Sequence, residues 1–112
     1  MATSYKVLGQ SNPSATTETT LYTAAGTAGN VVSTIVICNQ AATAATYRIA
    51  VVKSGGSTAP SGAATWIVYG ATVNASDTTA LTLGITMATG DKIQVYASSA
   101  TLSFSAFGSE LS

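Results

Sequence analysis

Histidine is absent from the 112 residues, cysteine occurs once, and only 4 Lys plus Arg stand against 4 Asp plus Glu. Each scarcity removes a class of function. Without histidine the commonest general base and metal ligand is missing. The lone Cys38 makes neither an intrachain disulfide nor a thiolate cluster. Charged residues are 7% of the chain and the formal net charge is zero, where soluble domains ordinarily carry about 25%. Binding to nucleic acid needs a basic stripe that displaces counterions from phosphate, and docking on an anionic membrane needs similar charge, so neither partner is expected. Long apolar runs are lacking too. The longest, residues 31–38, is broken by Ser33 and Thr34 and falls short of the ~20 residues of a membrane helix. The first ten residues, MATSYKVLGQ, have no charged end leading into an apolar stretch and do not read as a signal peptide.

What is present is small and β-prone. Hydrophobic residues make up 46% of the chain, but 20 of them are Ala against 21 Val, Ile and Leu combined, beside 19 Thr and 14 Ser. Such a core is thin, and the isolated chain is expected to be only marginally stable. Zero net charge, positive mean hydropathy and clustering of β-branched and aromatic residues nevertheless argue for a folded chain. The length fits one domain over residues 1–112.

Period-2 alternation marks eight candidate strands: 4–9, 19–23, 31–39, 46–53, 65–73, 77–85, 91–98 and 101–107. Turn-forming Gly, Asn, Asp, Ser or Pro separate them. Strand 31–39 is apolar on both faces and should be central, with Val31, Ser33, Ile35 and Ile37 sharing one of them. It reads as a hairpin with 46–53, and 91–98 as a hairpin with 101–107 through Ser99-Ala100. Gly70 is placed to mark a bulge. The loop at 54–64, rich in Gly and holding Pro60, is expected to be the most exposed and mobile. Seven or eight such strands specify an all-β, two-sheet antiparallel sandwich, Ig-like or jelly-roll in topology.

Candidate chemistry is sparse. A nucleophilic Ser or Cys would need Lys or a carboxylate as its base, and Cys38 sits in an apolar strand where a thiol behaves as an inert small hydrophobe. Glu18, Asp77, Asp91 and Glu110 are the only carboxylates available for a glycosidase pair. Turn chemistry accounts for Asp77 and Asp91, each at the start of a strand. No loop has the alternating oxygen ligands of a calcium site, and Gly55-Gly56 lacks the Lys-Ser/Thr that follows in a phosphate-binding loop. Catalytic residues, cofactor and metal are therefore all expected to be absent, and the chain reads as a non-enzyme. Tyr22, Tyr47, Trp66, Tyr69 and Tyr96 read first as core or sheet packing and second as a face for carbohydrate or peptide. The interface candidates are Gly55, Gly56 and Pro60 of the loop, with Trp66 beside it as the anchor. A Thr- and Ser-coated surface with almost no charge suits contact with other protein, hence a homo-oligomer or a multi-copy lattice.

The segments SYKVLGQSNPSATTETTLYTAAGT (4–27), VVSTIVICNQ (31–40), ATYRIAVV (45–52) and DTTALTLGITMATGDKIQVYASSATLSFSAFGSEL (77–111), in this order and spacing, carry a family likeness. The chain resembles small structural proteins of tailed-bacteriophage virions, particularly those of cyanophages. LYTAAGT lacks the Pro of the commoner LYTVPAGT form, and 54–64 is the poorest match. The resemblance implies a non-enzymatic, multi-copy virion component assembled in the host bacterial cytoplasm. Within that role, capsid decoration, cementing the lattice of the major capsid protein, comes first. A tail, neck or baseplate accessory subunit is the alternative, and a carbohydrate-binding module for host attachment is another.

Overall fold

The computed structural model describes residues 2–56 and 65–112. β-branched residues alternating with small polar ones produce eight strands: β1 (Thr3–Ser11), β2 (Thr19–Thr23), β3 (Gly29–Asn39), β4 (Ala45–Val52), β5 (Trp66–Val73), β6 (Thr78–Met87), β7 (Lys92–Ala97) and β8 (Leu102–Leu111). All eight candidate strands are found, and β8 runs four residues past its expected end. They form two antiparallel sheets, sheet A in the order β1-β8-β3-β6 and sheet B in the order β2-β7-β4-β5. An Ig-type sandwich pairs its first two strands. Here β1 and β2 lie in different sheets, and the eight-stranded order is that of a jelly roll.

Both expected hairpins are corrected by this order. β3 lies between β8 and β6, which use both of its edges, so β4 crosses to sheet B and pairs with β5 and β7. β7 and β8 likewise belong to opposite sheets. Alternation tells which side of a strand is apolar but not which strand lies beside it. The crossings are held by the turn backbone: Gln40 N–H donates to Thr101 O at 3.0 Å, Ser76 N–H to Ala41 O at 2.9 Å and Ser98 N–H to Thr46 O at 2.9 Å.

The facing of β3 is corrected as well. Val32, not Val31, joins Ile35 and Ile37 in the core, all three fully buried. The register passes from Val32↔Gly108 to Thr34↔Phe107, which leaves Ser33 unpaired in a bulge that reverses the alternation. Its hydroxyl donates to Phe107 O at 3.1 Å. The neighbouring Gly108 is required there, because a Cβ would run into the backbone carbonyl of Val31. Gly70 does mark a bulge: it has φ +83° and is skipped between Tyr47↔Ala71 and Arg48↔Tyr69.

The core between the sheets is built from Val32, Ile35, Ile37, Leu102, Phe104 and Ala106 of sheet A against Tyr47, Ile49, Ile93, Val95 and Ala97 of sheet B. Phe104 and Tyr47 meet edge to face at 6.2 Å. Two buried asparagines tie down the ends of β3. Asn30 accepts from Gly26 N–H at 2.8 Å and donates to Gly26 O and Met87 O. Asn39 does the same work at the other end.

Glu110 closes the sandwich near Asn30. Its carboxylate lies 2.6 Å from Lys6 Nζ and accepts from the Tyr22 hydroxyl at 2.6 Å. These partners, Lys6 first and then Tyr22, hold the Glu110 pKa below the ordinary carboxylate value. Burial, reinforced by the bond to Glu110, pushes the Tyr22 phenol up to about 12. The signs follow from linkage. The Glu110 contribution is complete above the unfolded value of about 4.3 and is lost as pH falls through the depressed folded pKa. The Tyr22 contribution is complete below about pH 10 and is lost as pH rises toward the folded value of about 12. Melting temperature should therefore be flat from about pH 5 to about pH 9 and fall on both sides. Glu110→Gln should lower the plateau and make the acid limb shallower. An acid limb of unchanged steepness in that variant would contradict the assignment.

Candidate functional site

The outer faces of the two sheets differ in chemistry. On sheet A the outward positions follow from the register: Tyr5, Val7 and Gln10 on β1, Ser105 and Phe107 on β8, Val31, Thr34, Val36 and Cys38 on β3, and Thr78, Ala80, Thr82 and Thr86 on β6. None is charged. The only charges on these four strands, Lys6 and Glu110, pair with each other. Tyr5 is 84% and Val7 50% exposed. Beside them Val31, Ser33, Phe107, Gly108 and Ser109 line a shallow depression of about 400 Å³ with Tyr5 and Lys6, over the line of bulges. The result is a broad face of hydroxyls and methyls with the exposed Tyr5 ring and the partly buried Phe107, its one cation, Lys6, neutralised by Glu110.

Sheet B presents a more specific cluster. The pairings Arg48↔Tyr69 and Arg48↔Tyr96 set one ring on each side of Arg48. Its guanidinium carbon lies 4.2 Å from the Tyr69 ring centroid, 4.3 Å from that of Tyr96 and 5.9 Å from that of Trp66. These are cation–π distances. Trp66 and Tyr69 meet edge to face at 5.3 Å. One step along the sheet, the exposed Thr46↔Thr72 pair and Ser98 continue the same face with hydroxyls. Next to the cluster Ala50, Val52 and Gln94 are buried, with Gln94 Nε2 donating to Thr20 Oγ1 at 2.7 Å.

The interface candidates read from the sequence fall unevenly on this picture. Trp66 opens β5 and belongs to the Arg48 cluster. Gly55 and Gly56 lie in an exposed turn closed by Gly56 N–H donating to Lys53 O at 2.8 Å, and Pro60 lies outside the described residues. Tyr22 and Tyr47 leave the candidate aromatic face, since both are core. Arg48 was not among the sequence candidates. Of the carboxylates, Asp91 accepts from Ser54 N–H and Ala88 N–H, which lower its pKa, and Asp77 accepts from Thr78 N–H at 2.8 Å. Both act in turns. Among the described residues no three His, Cys, Asp or Glu side chains gather as metal ligands, and no helix is long and apolar enough to cross a membrane.

No family model matches the sequence, and no curated protein matches it. Among solved structures the chain is similar to one in "Structure of infectious bursal disease virus Gx strain". The fold neighbour comes from a virus. The TM-score is 0.56 at 14% sequence identity, over 96% of this chain and 32% of the viral one. This chain thus spans about a third of the viral chain's length, and at that identity the likeness is one of fold.

Proposed function

We propose that this chain is a non-enzymatic structural subunit of a virion, a multi-copy decoration or cement protein on the capsid of a tailed bacteriophage of the cyanophage type. Its partner in this reading is the major capsid protein, and it assembles in the host bacterial cytoplasm. The observation that carries the proposal is the uncharged outer face of sheet A. A freely diffusing domain keeps apart from its neighbours by surface charge. Apart from the half-exposed Lys6, which Glu110 neutralises, the four strands expose hydroxyls, amide, methyls and aromatic groups, which desolvate against a protein lattice without stranding an unpaired charge. The jelly roll is a recurrent fold of viral capsid domains, and the viral fold neighbour is consistent with that use. Fold alone assigns no function, so the weight rests on the face.

Charge placed on that face tests the proposal. Ala80→Glu and Thr82→Lys sit at exposed outward positions of β6, and each should change the stability of the free protein by no more than about 0.5 kcal/mol. Burying either charge unpaired at a contact costs at least ~1.4 kcal/mol, or tenfold in affinity. Each variant, competed against the unaltered chain during assembly, should thus be depleted from particles about tenfold or more. Equal incorporation would remove sheet A from the contact.

A further inference from the structure

Arg48 differs from the other cations of the chain. Lys6 is paired with Glu110, and Lys53 and Lys92 both lie in the field of Asp91. Among the described residues no carboxylate comes within 4 Å of the Arg48 guanidinium. It is held between Tyr69 and Tyr96 instead, 4.2 and 4.3 Å from their ring centroids. Contact with a ring on each side restricts the Arg48 side chain before any ligand arrives, which lowers the ordering cost of pairing its N–H donors. Tyr69 is 63% exposed, so much of its ring remains open to a flat apolar partner.

We propose that Arg48, Tyr69 and Trp66 form a binding site for an acidic saccharide. The sugar carboxylate pairs with the Arg48 guanidinium, and the C–H face of the pyranose lies on Tyr69. Charge complementarity selects an anion, because among the described residues the Arg48 guanidinium has no carboxylate within 4 Å and its N–H groups suit a planar carboxylate. The open ring and the adjacent hydroxyls of Thr46, Thr72 and Ser98 select a polyhydroxylated ligand over an acidic polypeptide. The site lies on sheet B, opposite the face assigned to the lattice, so the two proposals fail independently and a lattice-bound subunit leaves it free.

The test is a titration of the free protein with oligomers of galacturonic, glucuronic and mannuronic acid, with the neutral galactose oligomer and polyglutamate as controls. Trp66, the single tryptophan, reports binding by fluorescence. At least one uronic acid oligomer should bind saturably and at least tenfold more tightly than both controls. Arg48→Gln should abolish binding, with the thermal melt reporting that the fold persists. Tyr69→Ser, at an exposed position, should do the same and serves if Arg48→Gln fails to fold. No response to any of the uronic oligomers would overturn the proposal. Polyglutamate binding as tightly would also overturn it, marking the cluster as a protein contact, and so would unchanged affinity in Tyr69→Ser.

Discussion

Phe104→Ala is expected to lower the free energy of unfolding by about 3–5 kcal/mol. Phe104 heads the fully buried side chains by volume and lies on β8 between β1 and β3, where it meets Tyr47 of the opposite sheet. Its ring thus spans the gap between the sheets. Much of the surrounding core is Ala, Val and Ile held in strands, and such short, stiff side chains cannot swing in to fill the space a phenyl leaves. A domain of this size holds only about 5–15 kcal/mol in total, so at least about a fifth of its stability is at stake. Urea unfolding monitored by circular dichroism measures the change. A loss below about 1 kcal/mol would mean that Phe104 is not wedged between the sheets.

Asn39→Leu should cost about 3 kcal/mol although the side-chain size is nearly preserved. Asn39 is 2% exposed. Its Nδ2 faces Thr43 O at 2.9 Å, Val73 O at 3.2 Å and Asn74 O at 3.2 Å. Its Oδ1 accepts from Ala41 N–H at 3.0 Å and from Thr101 Oγ1 at 3.2 Å. One side chain thereby fastens the crossings from β3 to β4, β5 to β6 and β7 to β8. Leucine strands the buried Val73 carbonyl and several partly buried partners, a buried group left unpaired costing about 1–3 kcal/mol. The same unfolding measurement applies, with Thr43→Ala as a control that keeps the backbone acceptor. A leucine variant as stable as the parent would show that water reaches these carbonyls.

The strands were legible in the sequence because one apolar face per strand is written as alternation, and β-branched runs bounded by Gly, Asn and Asp mark their limits. Pairing was not legible. Residues 40–44 and 98–101 have the lengths of hairpin loops, and only the three-dimensional order shows that they cross between sheets. The bulge at Ser33 was hidden as well, since serine among valines and isoleucines looks like an ordinary outward position. Gly70 was readable because glycine inside a strand pattern has few other uses. The Arg48 cluster depends on β5 and β7 flanking β4, so its members are distant in sequence. The available signal was an arginine on one strand and three aromatic residues on two others, Trp66 and Tyr69 on β5 and Tyr96 on β7. Asn30 and Asn39 carried a fainter one, amides at the two ends of the most apolar strand.

Quantitative mass spectrometry of purified particles bears most directly on the claim that this fold serves as a virion subunit through an uncharged face. The account predicts that the protein co-sediments with particles at a copy number comparable to that of the major capsid protein. Its absence from particles, with the protein recovered only in the soluble fraction of infected cells, would contradict it.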